Sequence, residues 1–219
     1  MPDSITSKEF IEQQYKPLNE ELARLRELNE TDGVPLILRE TEGMLSVLLD
    51  ICKPERILEI GTAYGYSAAF FAAKCPNALI TTIERNPKMI EKAVKCFEML
   101  GLDDRVELLE GDAAEILRGI GENADTTAYD LVFIDAGKTH YREYLELSER
   151  LCRAGSLIVC DNILIHGWIY DRKKPGAKRH RTSVKYMKSF LKYIKDREDL
   201  TVSVSESGDG LAIIRLNDK

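Results

Sequence analysis

The chain has 219 residues, 44% hydrophobic and 31% charged, enough for one domain with a substantial core and too few for two ordinary ones. No apolar run approaches the roughly 18 residues of a membrane span, and the polar N-terminus has no signal-peptide core, so a cytoplasmic protein with no membrane partner is expected. The net charge of −6 hides an asymmetry: residues 172–195 hold ten Lys or Arg and no acid, which leaves about −16 on the rest.

In chain order, residues 7–29 read as one amphipathic helix carrying Phe10, Leu18, Leu22, Leu25 and Leu28. A break at 31–35 precedes a second helix, 39–52, stopped before Pro54. Strands are then expected at 56–60, 79–83, 106–110, 131–134 and 157–160, with helices at 67–74, 87–100, 113–120 and 141–151 between them. Pro87 and Gly101 bracket one of these helices in the usual way. A helix at 182–194 follows, then strands 200–205 and 211–216 joined by Ser207-Gly208-Asp209-Gly210, read as an antiparallel hairpin. The expected fold is a single α/β domain, 1–219: N-terminal helices over 1–53 and a Rossmann-like core over 54–219. Its seven-stranded, mostly parallel sheet carries helices on both faces and ends in the hairpin. Cys52, Cys75, Cys96, Cys152 and Cys160 contain no Cys-x-x-Cys pair and fall mostly within these patterns, so reduced thiols are expected; His140, His166 and His180 lack zinc-site spacing.

Ligands of open α/β sheets sit outside the carboxyl ends of the strands. The first strand leads into Glu59-Ile60-Gly61-Thr62-Ala63-Tyr64-Gly65-Tyr66-Ser67, a glycine-bearing loop without the Gly-x-Gly-x-x-Gly of dinucleotide sites, which disfavours a nicotinamide-dependent oxidoreductase. Glu59 would repel a phosphate and suit an amino group. Glu84 closes the second strand, where an acid can hold a ribose, and Gly111-Asp112-Ala113 follows the third, placed for an adenine edge. A nucleoside with a cationic amino-acid tail and no phosphates satisfies all three: S-adenosylmethionine.

Two more apolar runs end on oxygen donors. Residues 131–134 lead to Asp135 with Lys138 beyond it, and 157–160 lead to Asp161 and Asn162. If these strands are neighbours, two carboxylates and an amide form a hard-cation site for Mg²⁺, Mn²⁺ or Ca²⁺, with an amine alongside as base. A hydroxyl on such an ion is acidified. Tyr141 reads as packing.

Phe133-Ile134-Asp135-Ala136-x-Lys138-x-x-Tyr141, then Asp161-Asn162, then Gly208-Asp209-Gly210, resembles the cation-dependent O-methyltransferases of the catechol and caffeoyl-CoA type, over about 34–216. The resemblance implies metal ligands at Asp135, Asp161 and Asn162, and catalysis by Lys138 with Asp135. It also implies cofactor contacts at Val34, Glu59, Gly61, Tyr64, Gly65, Ser67, Glu84, Asp112, Ala113 and Asp135. A homodimer is expected, with 7–29 as a contact helix. Gly137 departs from relatives that carry a charged or aromatic residue there.

The basic segment bears on the substrate. Arg172, Lys173, Lys174, Lys178, Arg179 and Arg181 sit in a Gly/Pro-containing loop, followed by a lysine stripe at Lys185, Lys188, Lys192 and Lys195. Such clusters attract phosphate backbones. Within the family, the chain looks closest to a bacterial branch that methylates 5-hydroxyuridine in tRNA, whose adjacent O5 and O4 chelate as a catechol does. The expected substrate is therefore tRNA. The alternatives are a small catechol-like or caffeoyl-CoA-like molecule and, more remotely, a non-catalytic RNA-binding module.

Overall fold

A computed structural model describes residues 5–122 and 128–218. The sheet has seven strands: β1 (Arg56–Ile60), β2 (Leu79–Glu84), β3 (Val106–Glu110), β4 (Tyr129–Ile134), β5 (Cys152–Cys160), β6 (Leu200–Ser205) and β7 (Leu211–Leu216). Their order is β3-β2-β1-β4-β5-β7-β6. The first five run parallel, and β7 is antiparallel to both β5 and β6. This is the Rossmann-like architecture expected, including the terminal hairpin.

Both faces are covered, which is why the central strands are apolar throughout. Leu58, Val132 and Ile158 are in register and point to one side, against α6 (Ala113–Glu122), α7 (Tyr141–Glu149) and α8 (Arg181–Lys195). Ile57, Leu131 and Phe133 point to the other, against α2 (Glu20–Thr31), α3 (Arg39–Cys52), α4 (Tyr66–Lys74) and α5 (Pro87–Leu100).

Two expected elements change by more than two residues. The 7–29 helix is two helices, α1 (Ser7–Glu12) and α2. Thr6 begins α1 with a capping box, Asn19 caps α2 by accepting from the Leu22 N–H at 2.8 Å, and Pro17 lies in the gap, where it cannot continue a helix. Strand β5 begins five residues earlier than its apolar run, because Cys152 pairs with Tyr129 across an irregularity in the register. All five cysteines are unpaired, with Cys96 and Cys160 buried. Among the described residues no helix is long and apolar enough to cross a membrane.

Candidate active site

The strand order reverses direction between β1 and β4, the switch point where such sheets bind ligands. Ladder hydrogen bonds continue one residue past the strands there. Gly111 N–H donates to Glu84 O, Gly61 N–H to Ile83 O, Asp135 N–H to Ile60 O and Asp161 N–H to Ile134 O, at 2.9–3.0 Å. Register alone thus sets these four residues along one edge. Gly61, at φ +104, sits against Asp135: a methyl group in place of its hydrogen would overlap the Asp135 carbonyl oxygen. A cavity of about 1670 Å³ opens above, exceeding the usual range for one small ligand.

At the cofactor end, Gly61, Tyr64, Ser67, Glu84 and Ala113 line the cavity. Glu84 is aimed by three backbone donors: Ala63 N–H to Oε2, and Arg85 and Asn86 N–H to Oε1. Four residues expected as contacts are not part of the cavity lining. Gly65 begins α4 at φ +86, and a Cβ there would meet the Phe97 ring at 2.7 Å, so this glycine lets two helices approach. Asp112 turns back to accept from the Ala114 and Glu115 N–H groups at the head of α6. Val34 terminates α2 through its N–H to Asn29 O, while Pro35, Leu36 and Ile37 form the cavity wall. Glu59 is fully buried beneath the loop. Its Oε2 accepts from Thr82 Oγ1 at 2.5 Å, Thr82 shares a 2.6 Å hydroxyl contact with Thr62 at the cavity edge, and Oε1 has no partner. Burial pushes this carboxyl up to about 8. Glu59 therefore reaches the cavity through hydroxyls, by way of Thr82 and Thr62 and of Ser67, rather than directly.

At the other end, Lys138 Nζ is the hub. Its three protons face four acceptors: Asp135 Oδ1 at 3.1 Å, Asn162 Oδ1 at 3.1 Å, Asp161 O at 3.3 Å and Tyr141 Oη at 2.6 Å. Asp161 is buried: Oδ1 accepts from the Asn162 N–H, and Oδ2 has no partner. Burial, then the Asp135 charge, raises its carboxyl to about 7. An orphaned buried carboxylate oxygen beside a second carboxylate and an amide oxygen is a donor set that fits a hard cation. Among the described residues no three His, Cys, Asp or Glu cluster as a metal site, so the amide is needed to complete the set. Asn162, at φ +52, has the left-handed backbone that asparagine tolerates best after glycine.

Tyr141 does more than pack. It is 1% exposed, and its hydroxyl accepts from Lys138 while donating to Asp161 O at 2.7 Å. Burial holds its phenol protonated well above the ordinary range. Its sequence signals were its place in the family motif and its i, i+3 spacing from Lys138. Of the six basic-loop residues, Lys174 lines the cavity; Arg172, Lys173, Lys178, Arg179 and Arg181 are exposed outside it. His180, Trp168 and the hairpin turn Ser207-Gly208-Asp209 also line it; the turn belongs to the family motif and His180 to the basic loop, while Trp168 carried no sequence signal.

The family model described as O-methyltransferase matches residues 12–217. A catechol O-methyltransferase of Niastella koreensis is 37% identical over 155 residues, 67% of this chain and 70% of that protein. A caffeoyl-CoA O-methyltransferase of Populus kitakamiensis is 28% identical, over 92% and 88%. The crystal structure of a Podospora anserina methyltransferase with S-adenosylhomocysteine bound superposes with a TM-score of 0.85 at 26% identity, over 96% of this chain and 94% of that one. The fold and site define a methyltransferase of the Rossmann-like class. The chain belongs to the O-methyltransferase family and is an enzyme that transfers methyl groups.

Proposed function

We propose that this enzyme moves a methyl group from S-adenosylmethionine to one oxygen of an adjacent oxygen pair on a catechol-type small molecule, with Asp135, Asp161 and Asn162 holding a divalent cation. The observation that carries this reading is the convergence at Lys138 Nζ: Asp135 and Asn162 oxygens at 3.1 Å, beside a buried Asp161 oxygen with no partner. A cation held by the Asp135, Asp161 and Asn162 oxygens, beside Lys138, would lower the pKa of a hydroxyl and orient it. Lys138 Nζ, in its neutral amine form, is the atom positioned to take the acceptor's proton and become the ammonium, and Tyr141 Oη, 2.6 Å away, fixes it in place. Glu84, already aimed by three N–H groups, offers its remaining lone pairs to cofactor hydroxyls at the opposite end. Holding the two reactants along one strand edge supplies much of the rate by orientation. The catechol and caffeoyl-CoA relatives favour a small acceptor.

A second reading, 5-hydroxyuridine in tRNA, is favoured by the exposed Arg172, Lys173, Lys178, Arg179 and Arg181 on the rim side of Lys174. Transfer of labelled methyl from the cofactor to catechols, and to tRNA lacking the modification, separates the two. We expect catechol methylation that is lost with EDTA and in Asp161→Ala. Labelling of tRNA alone, abolished in Arg179→Ala or Arg181→Ala, would establish the second reading instead. Transfer undiminished by EDTA and by Asp161→Ala would remove the cation from the mechanism.

A further inference from the structure

The acceptor end of the cavity has a wall that the transfer chemistry leaves unused. Beyond Asn162 the chain makes a left-handed run, with φ +48 at Ile165, +56 at His166 and +79 at Gly167. For a β-branched residue such as Ile165 this conformation is unfavourable and persists only where the surroundings enforce it. Here they do: the His166 N–H donates to both Asp209 carboxylate oxygens, at 2.7 and 2.9 Å, and Leu164 N–H donates to Asp209 O. The segment beyond is clipped to itself. The Trp168 indole donates to Pro175 O at 2.9 Å, its ring stacks on His180 at 4.5 Å and 18°, and it meets His166 edge-on at 5.1 Å. Gly176 permits this, since a Cβ there would lie 2.6 Å from Trp168 Cζ2. Lys174 Nζ donates to His166 O at 3.2 Å and lies 5.4 Å from the Tyr170 ring centre.

All of these rings and Lys174 line the same cavity as Lys138 and Asn162. Gly137, beside Lys138, leaves that approach open: a Cβ there would touch only His140, at 3.8 Å. The other cations of the cavity are engaged elsewhere, Lys138 at the oxygen cluster and Arg85 3.8 Å from Asp112 at the cofactor end. Glu40 and Glu206 lie on the cavity wall beside the hairpin turn, where Ser207 Oγ donates to Glu40 O. Asp209 and Glu84 are occupied by backbone N–H groups. A wall of rings with one ammonium held by a neutral carbonyl, His166 O, and the Tyr170 ring, with no carboxylate paired to it, suits a planar molecule with a negative charge.

We propose that His166, Trp168, His180 and Lys174 form an acceptor subsite for a planar ring that carries an anionic group, the ring lying along the Trp168–His180 stack and the anion received by Lys174. The proposal deepens the methyl-transfer reading and rests on it. The anion could be a carboxylate on a small diol or the phosphate of a nucleotide, and the test separates these. Initial rates are measured with catechol, a dihydroxybenzoate, a catechol bearing an aminoethyl group, and 5-hydroxyuridine with and without its 5′-phosphate. The wild-type enzyme should prefer the charged acid over its neutral counterpart in kcat/KM. Lys174→Ala should reduce that preference on the order of tenfold, chiefly through KM, and Lys174→Arg should restore most of it. His180→Leu should raise KM for every accepted ring. Lys174 dependence confined to the benzoate pair assigns a small acid, and dependence confined to the nucleotide pair assigns a phosphate. Thermal melting and S-adenosylhomocysteine titration confirm that each variant is folded. Methylation with an acid-to-neutral ratio unmoved by Lys174→Ala, or a preference for the amine set by Glu40 and Glu206, would overturn the subsite while leaving the transfer reading intact. No transfer to any of these acceptors would overturn the reading itself and the subsite with it.

Discussion

Glu59→Gln tests whether the buried carboxyl under the cofactor loop is neutral. Glu59 is fully buried, with Oε1 unpartnered, and burial lifts its carboxyl from 4.5 to about 8. An acid whose pKa is raised on folding stabilises the native state most fully below its unfolded value. That contribution is lost as the pH rises through the window from 4.5 to about 8, because the unfolded chain ionises while the native one keeps its proton. Between about pH 5 and about pH 9 the loss works out to about 4 kcal/mol, an upper bound. Glutamine mimics the neutral carboxyl, and its amide keeps the acceptor for Thr82. It also buries an extra N–H where Oε1 had no partner, a pH-independent cost of about 1–3 kcal/mol. The variant should therefore melt below the wild type in acid and approach or pass it in mild alkali. The assay is urea unfolding of both proteins across this range. Asp161 titrates in both, so their difference isolates Glu59. Stability curves that run parallel across the range would refute the argument.

Glu42→Ala should cost about 3–5 kcal/mol in urea unfolding, because it strands the Arg26 guanidinium, 4% exposed and 2.5 Å from Glu42 Oε2; a loss under about 1 kcal/mol would mean that Glu30, 3.7 Å from Arg26, compensates. Gly61→Ala should weaken S-adenosylhomocysteine binding more than tenfold and lower Tm, since the new methyl meets the Asp135 carbonyl; unchanged binding by calorimetry would show that the two strand ends can move apart. Lys138→Met should lower kcat by roughly 10²- to 10⁴-fold with cofactor affinity kept within about threefold, and a rate loss that vanishes at high pH would assign the proton transfer to solvent.

The core was legible because its strands are buried on both faces: runs such as 131–134 and 157–160 have little else they can be. Their terminal residues were legible for the same reason, since a parallel register carries Asp135 and Asp161 to one edge. What pattern alone did not show lay where long-range contacts decide. Glu59, expected as a cofactor contact, has the hydroxyls of Thr62 and Thr82 between it and the cavity. Asp112, expected at an adenine, also caps a helix through Oδ1, a use that an acid ahead of a helix has in any fold. The single 7–29 helix failed on Pro17, a signal that was present and outweighed by apolar spacing. The basic loop was read for its charge, yet its shape follows from Trp168 meeting Pro175 and His180, contacts that no periodicity encodes.

The antiparallel end of the sheet has a consequence for the site. In a parallel strand the start lies far from the ligand, so each loop at the ligand edge must follow a strand. Strand β7 runs against β5, with Cys160 paired to Ala212 and Leu157 to Arg215, so its beginning, not its end, lies at that edge. The tight turn Ser207-Gly208-Asp209-Gly210 thus arrives beside Asp161 and Asn162. From there Ile163 and Leu164 donate to the carbonyls of Gly210 and Asp209, and His166 to the Asp209 side chain. The hairpin therefore holds the segment that begins at Asp161 and Asn162 and leads into the Trp168 wall. Reversing one strand gives the acceptor loop a rigid anchor without lengthening any connection at the cofactor end.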